Sequence, residues 1–580
     1  MLHRLFPASL LLAVAAPLVA QDLRNVQPQP APAMPAAPDA TPSLPPDADA
    51  SAQALAEQTA TRLVGLVFLS APAQIRAGGW PLAELPASKI DASRTPLLAP
   101  HSARLAPLLG RPVDTRTLQT LPVAIAQLYA EAGRPFASVT LPPQDFTDGV
   151  LQVLVIEGRL GAIRVEGAKH FSEKSYLAAV RARPGEPIDA ARLERDLAAI
   201  ADNPFRQATV AARPGATVGT TDLVIRANDR RPWRFYGGYD DTGNRTTGLE
   251  RVNAGVNWGD VLGLAHQLNY QLTASPDFQR SVSHSVNYVA PMPWNAAQTL
   301  TAGYTYGRIR PDMPAPFDQE GHSENVSLRY RLPLAPFAGV GHALVFGADY
   351  KMSDNNLEFS SIPVSGNVTH IWQASLGWEA SRPDARGATQ LAVTGVFSPG
   401  GLDSDNDDDS FAATRAFAEA RYAYLNINLV RSTRLPAGFA LVTTATGQIS
   451  DGNLLGSEQF TLGGAYTVRG YDDGDTYGDW GALLRNELQL PALRGLSRWF
   501  ARLPADRFTP VVFLDAGVTG PADPLPGEDE SVTLASAGVG FRYAIGAHGS
   551  LRVDYGWQLK DSPSGIPASG RIHVSATLSF

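Results

Sequence analysis

The chain has 580 residues, no cysteine, 18% charged residues and a formal net charge of −8. Without cysteine there are no disulfide scaffolds, thiolate metal sites or cysteine nucleophiles, and the acidic balance gives nucleic acid no electrostatic footing. A mean hydropathy of −0.10 excludes a bundle of apolar helices, while 52 glycines and 46 prolines favour a turn-rich architecture.

Residues 1–20 (MLHRLFPASLLLAVAAPLVA) set a short basic start before an apolar run that ends in small residues, the pattern of an export signal peptide. Residues 21–60 are dense in Pro, Ala, Gln and Asp. Such a stretch buries too little apolar surface to offset its ordering entropy and predicts a tether, with room for a short helix at its end. Beyond it no run of 18 apolar residues occurs, so no helix is long enough to span a bilayer.

Residues 61–159 and 160–229 predict two small α+β units in the order β-α-α-β-β. In the first, VGLVFLS (64–70) reads as a strand and about 115–132 as a helix with Leu118, Leu121, Ile125 and Leu128 on one stripe. SVTLPPQ and VLQVLVIEG follow as strands. In the second, GAIRVEGA (161–168) is a strand, and Ser172 and Asp189 are placed to cap two helices. ATVAARPG and TDLVIRAND close the unit as strands.

Residues 230–580 change period. In 572–580, Ile572, Val574, Ala576, Leu578 and Phe580 share one face against His573, Ser575, Thr577 and Ser579. In 551–559, Leu551, Val553, Tyr555, Trp557 and Leu559 oppose Arg552, Asp554, Gly556 and Gln558. Sixteen such segments begin near 233, 250, 264, 280, 298, 324, 343, 369, 389, 416, 438, 479, 509, 532, 549 and 571. Short links (259–263, 291–296, 432–438, 545–549) alternate with longer polar ones (311–323, 354–368, 399–413, 451–477). An even strand count with turns short on one side and loops long on the other predicts a 16-stranded antiparallel transmembrane β-barrel. In lipid every backbone polar group must be paired, so such a sheet has to close, leaving its polar face to line a bore.

Two short motifs then carry a resemblance. Val468-Arg469-Gly470-Tyr471 resembles the loop motif of the outer-membrane assembly and translocation superfamily, and Phe513-Leu514-Asp515-Ala516-Gly517 resembles its strand motif Phe-x-Asp-x-Gly. With the two upstream units, which resemble POTRA domains, and the strand count, the chain looks like a TpsB-type transporter of two-partner secretion, in the hemolysin secretion/activation family. Leu141-Pro142-Pro143-Gln144, Asp148-Gly149 and Glu157-Gly158 also fit that family. The resemblance implies an outer membrane of a Gram-negative bacterium, with the POTRA-like units in the periplasm. It further implies that the sixth outer loop, about 451–477, folds back into the bore, where Arg469 pairs with Asp515. Among the side chains this makes Val468, Arg469, Gly470, Tyr471, Phe513, Asp515 and Gly517 the candidate site, and terminal Phe580 the signal for barrel assembly. The physical chemistry agrees: an arginine in a confined polar bore needs a carboxylate, and a bidentate pair fixes a loop tip geometrically.

The expected partners are a secreted TpsA-like exoprotein, outer-membrane lipid and the barrel-assembly machinery. The expected action is capture of the unfolded exoprotein by strand addition to a sheet edge, then passage through the bore without nucleotide hydrolysis. No phosphate loop, H-E-x-x-H or G-x-S-x-G pattern occurs, so no enzyme, cofactor or metal is expected. The acidic run Asp403–Asp409 lacks the glycine and distal glutamate of a calcium-binding EF-hand loop and reads as a solvated loop tip. An outer-membrane insertase and a passive porin are the alternatives; a porin leaves residues 61–229 without work.

Overall fold

The computed structural model describes residues 62–580 except 135, 218, 246, 314–316, 360–361, 494–504 and 564–568. The expected signal peptide (1–20) and tether (21–60) lie outside the described residues. What is described falls into two compact units, one made largely of residues up to Arg231 and one from Pro232 onward.

The first unit holds two sheets. In one, β1 (Gly65–Leu69) lies parallel to β4 (Val150–Glu157) and to the two-residue β2 (Ile90–Asp91), while β3 (Ala137–Thr140) pairs antiparallel with β4. Every residue of β1 and the first six of β4 are buried, so both faces of this sheet are covered. Helix α1 (Thr115–Glu131) covers one face, setting Leu118, Leu121, Ile125 and Leu128 against Leu66, Phe68, Leu151 and Val153. Trp80, Ile75, Leu82 and Leu85 cover the other. Where the β-α-α-β-β order places its first helix, the chain forms a 3-10 run (Ala99–Leu108) with Pro100 in its first turn and Pro107 near its end. Proline in a helix interior removes a hydrogen bond and clashes with the preceding turn, which explains the tighter, irregular segment.

The buried amide of Gln152 on β4 is satisfied by backbone of Arg76, at 2.9 Å to its Oε1 and 2.8 Å from its Nε2. Gln144 clamps the same residue's main chain through its own Oε1 (2.6 Å) and Nε2 (2.8 Å). Gly149 has φ +73°, and a Cβ there would run into the Arg62 carbonyl.

The second sheet repeats the pairing in the order β5-β7-β6: β5 (Arg159–Glu166) is parallel to β7 (Thr220–Asp229), and β6 (Arg206–Pro214) is antiparallel to it. Helices α2 (Glu173–Ala179) and α3 (Ala190–Ala201) begin at the expected caps. Ser172 accepts from Ser175 N–H at 3.2 Å and Asp189 from Arg192 N–H at 3.0 Å.

The second unit is a closed barrel of sixteen antiparallel strands. In chain order they are β8 (Trp233–Asp240), β9 (Arg251–Val261), β10 (His266–Ala274), β11 (Ser281–Met292), β12 (Asn295–Ile309), β13 (Phe317–Pro333), β14 (Gly341–Phe359), β15 (Ile362–Asp384), β16 (Gly387–Pro399), β17 (Arg421–Arg434), β18 (Ala440–Ser450), β21 (Trp480–Gln489), β22 (Asp506–Gly520), β23 (Val532–Ile545), β24 (Gly549–Gln558) and β25 (Gly570–Ser579). Between β18 and β21 a small hairpin intervenes, β19 (Phe460–Leu462) with β20 (Thr476–Gly478). The seam closes where β25 pairs with β8, from Ser575–Asp240 to Ser579–Tyr236. Backbone bonds in both directions between Phe580 and Phe235 (2.8 and 3.1 Å) extend it to the last residue, whose side chain is exposed.

The alternation sorts the faces. Val326, Leu328, Tyr555, Trp557, Ile572 and Leu578 are exposed on the outside, whereas Asp349, Asp554 and His573 are buried toward the bore. Two expected outer loops, 311–323 and 354–368, are much shorter than the sequence suggests. β13 begins at Phe317, and β14 and β15 stay in register almost to their hairpin tip, pairing Asp354 with Val368 and Phe359 with Ile362. A membrane strand needs about 9–11 residues, and these strands run well past that length, so the span of a bilayer does not mark where they end. A helix, α4 (Asp408–Thr414), occupies the acidic run of the fifth long loop.

Candidate functional site

The site grows from the loop between β18 and β21. Its stem is the β19–β20 hairpin, and its tip, residues 463–475, turns back against the bore wall. Leu462, Val468 and Tyr471 form one apolar cluster with Phe460, Leu483 and Leu534, so the loop is seated by burial as well as by charge. The Arg469 side chain is fully buried. Its Nε donates to Asp515 Oδ2 at 2.6 Å and its Nη2 to Asp515 Oδ1 at 2.9 Å, a bidentate pair reinforced by the Arg469 backbone N–H at 3.3 Å. The guanidinium lies 3.5 Å over the Phe513 ring. Gly517, two residues past Asp515 on the same face of β22, leaves space that Leu462 of the stem fills; a Cβ there would come within 2.7 Å of Leu462.

The neighbouring motif residues hold the tip. Gly470 takes φ +94°, and a Cβ on it would lie 2.8 Å from the Gly556 carbonyl oxygen. Its N–H donates to His573 Nε2 at 3.0 Å, and its carbonyl accepts from Gln558 Nε2 at 2.7 Å. The Tyr471 hydroxyl reaches two carbonyls, Ala535 at 2.9 Å and Lys560 at 2.8 Å. Asp472 is ion-paired with Arg571 of β25 and, at 2.8 Å, with Arg245.

Around this pair lies a charge network that the sequence did not single out. Arg469 Nη1 also donates to Glu487 Oε2 at 2.8 Å, and Glu487 accepts from Arg542 at 2.6 Å. Asp554 takes Arg542 at 2.7 Å on one oxygen and Arg552 at 2.7 Å on the other. Arg485 stands 3.8 Å from Asp515. The members come from β21, β22, β23 and β24, four consecutive strands, with His573 from the fifth. Each sits at a bore-facing position of an alternating strand, so only the register brings them together; Arg485 and Asp515 are direct cross-strand partners. Burial works against the charge on Arg469, yet Asp515, Asp554 and Glu487 together raise its pKa above the ordinary arginine value. The tip is therefore held by opposed charges, with no nucleophile–base pair among them.

The acidic run is a solvated tip only in part: Asp407, Asp408 and Asp409 are exposed, but several of its carboxylates are also engaged. Asp407 caps α4 by accepting from Ser410 N–H at 2.8 Å, and Asp403 accepts from His370 (3.0 Å) and Trp372 (2.8 Å). His370, Asp403 and Asp405 are the described residues whose ligand atoms gather closely enough for a cation, within 4.8 Å of one another. The His370 nitrogen facing them is already committed to Asp403.

Residues 219–543 match the family model described as haemolysin secretion/activation protein ShlB/FhaC/HecB. Residues 85–158 match a ShlB-type POTRA domain, and 158–229 a POTRA model described as surface antigen variable number repeat. The chain is 25% identical over 390 residues to the heme/hemopexin transporter protein HuxB of Haemophilus influenzae, covering 66% of this chain and 67% of that one. It is also 25% identical over 409 residues to the outer membrane transporter CdiB-2 of Burkholderia pseudomallei, covering 68% of each. Among solved structures, CdiB from Escherichia coli superposes over the full length of both chains with a TM-score of 0.73 at 19% identity, a likeness of fold.

Proposed function

The chain belongs to the haemolysin secretion/activation protein family, the outer-membrane transporters of two-partner secretion, and from that premise we propose that it captures one unfolded exoprotein and passes it through the barrel bore without nucleotide hydrolysis. The family works with secreted TpsA-type partners. Capture belongs to the two-sheet unit, which lies in the periplasm in this reading. Among the described residues its nine-residue strand β6 pairs only with β7, and the alternate N–H and C=O groups on its other edge can take an extended segment. Main-chain hydrogen bonds there supply affinity with little demand on sequence.

The observation that carries passage is the seating of the loop tip. Arg469 is bound inside the bore by ion pairs and hydrogen bonds as well as by a small apolar cluster, and polar partners are exchangeable for those of a moving polypeptide. In this reading Arg469 and Asp515 are the clasp, Phe513 the platform under the guanidinium, Gly470 the turn that lets the tip approach β24, and Tyr471 the anchor across to β23. Transit shifts the loop, and folding of the exoprotein outside makes the passage directional. Phe580 serves as the terminal signal read by the barrel-assembly machinery.

The test is co-expression with the partner exoprotein. Arg469→Ala is expected to lower its appearance in the medium by at least ten-fold while the barrel stays folded and membrane-inserted. Secretion at the wild-type level by that variant refutes the role given to the clasp.

A further inference from the structure

We infer that a second fastening, separate from the Arg469 seat, closes the long-loop mouth of the bore: the loop 400–420 and the first limb of 451–479 are latched together inside the barrel by Asp479 and Glu458, and this latch sets how far the resting pore conducts ions. The inference rests on the transport reading above for its purpose, but its geometry stands apart from it.

The fifth long loop turns inward. On β15, Trp372 and Leu376 are exposed to the outside, so Ile371 and Gln373, both buried, face the bore. On β17 the exposed Arg421 likewise places Tyr422 and Tyr424 inside. Phe411 of α4 is fully buried among Ile371, Tyr422, Leu454 and Leu455, that is, between the inner wall and the sixth loop. A helix that packs its one large apolar side chain there sits within the bore.

Three loops then converge on one carboxylate. Arg415, one residue past α4, donates Nη1 and Nη2 to Asp479 at 2.5 and 2.9 Å. Asp479, fully buried, also accepts from Leu454 N–H (2.9 Å), Gln459 Nε2 (3.2 Å) and Ala522 N–H (2.8 Å). These donors belong to loops 400–420, 451–479 and 521–531. Asn453 repeats the arrangement: its Nδ2 donates to Ala416 and Asp523 carbonyls at 3.1 and 3.0 Å, and its Oδ1 accepts from Asp523 N–H at 2.9 Å. Ala418 and Asn453 form a parallel β-bridge beside it. Lower on the same limb, Glu458 is fixed to the wall by Lys351 Nζ (2.6 Å), Gln373 Nε2 (2.6 Å) and the Tyr424 hydroxyl (2.8 Å). The hydrogen bonds and ion pairs of Asp479 and Glu458 are made with residues other than those paired with Arg469.

Removing one charge from a buried, fully bonded pair leaves the partner uncompensated, so a single substitution should release all three loops. Purified protein in planar lipid bilayers tests this without any exoprotein, which separates a failed latch from a misread transporter. Asp479→Asn and Lys351→Met are each expected to raise mean conductance at least ten-fold over wild type, with the barrel still shifting on heating in gels. Because the chain has no cysteine, Ala418→Cys combined with Asn453→Cys gives a second, reversible test. Built into Asp479→Asn, the oxidised pair is expected to conduct as little as wild type, and reductant to raise its conductance. Wild-type conductance in folded Asp479→Asn and Lys351→Met, or no effect of reductant on the cross-linked pair, overturns the inference.

Discussion

Replacing either end of the Arg469–Asp515 pair breaks the same two hydrogen bonds, yet the two replacements should not cost the same. The network holds four guanidiniums (Arg469, Arg485, Arg542, Arg552) against three carboxylates (Glu487, Asp515, Asp554), a surplus of one positive charge. Arg469→Ala leaves it neutral, and Arg485, already 3.8 Å from Asp515, inherits the carboxylate. Asp515→Ala leaves two surplus cations buried together. Breaking a buried pair by removing one partner costs about 3–5 kcal/mol. Arg469→Ala belongs near the lower figure and Asp515→Ala near or above the upper. At about 1.4 kcal/mol per decade these correspond to roughly a hundred-fold and a few-thousand-fold loss of loop seating. The assay uses the absence of native cysteine. Val468→Cys places a thiol at a position that is fully buried when the tip is seated, so its rate of maleimide labelling in detergent reports the unseated fraction. Labelling should rise in both second-site variants, and more in Asp515→Ala. Equal rates in the two, or unchanged labelling in Arg469→Ala, would refute the charge accounting.

Three further outcomes follow from the same geometry. Gly470→Ala forces a left-handed φ of +94° on a residue with a Cβ and drives it against the Gly556 carbonyl, so seating should weaken by about 1–3 kcal/mol, read by the same labelling. In the loop tip, burial pushes the Asp473 carboxyl up to about 8; Arg571 pulls it down, and Asp241, Asp240 and Asp472 add to the rise. A folded pKa above the unfolded value of about 3.9 means its contribution is whole below pH ~4 and lost as pH climbs through 8. The thermal midpoint of wild type should therefore fall relative to Asp473→Asn between pH 6 and 9, and parallel curves would contradict this. On the sheet edge, Val210 and Ala211 are adjacent on β6, so one of their N–H groups points away from β7. Proline at that position should leave the ladder intact and reduce binding of an unfolded exoprotein segment several-fold, measured by titration with the soluble segment; undiminished binding would move capture elsewhere.

How much the sequence disclosed depends on whether a feature is local. All sixteen barrel strands were legible because an apolar outer face forces alternation on each of them separately. The caps Ser172 and Asp189 were legible because a helix start needs an oxygen acceptor at one defined position. The extended β14–β15 hairpin was not, since its strands run well past the length a bilayer needs and that span does not mark where they end. Helix α4 was hidden in an acidic run whose aspartates read as solvated until Asp407 is seen capping and Phe411 is seen buried. At the site, Arg469 and Asp515 could be paired through two recognisable motifs lying 46 residues apart. Glu487, Arg542, Arg552, Asp554 and His573 could not, because each is one polar residue among many on a bore-facing row, and strand register alone brings them to the arginine. The Asp479 latch is the same case: its donors lie on three loops with no shared pattern.

The account stands or falls on the bore being the path. Asn428 faces the inside of β17, and Ile427, its neighbour, is exposed on the outer face. A photo-crosslinking residue at each position, tested while an exoprotein stalled by a folded C-terminal fusion is being secreted, compares inside with outside at one depth. The account predicts adducts with the exoprotein from position 428 and none from 427. Adducts from both in equal measure, or from neither while unstalled secretion continues, would contradict it.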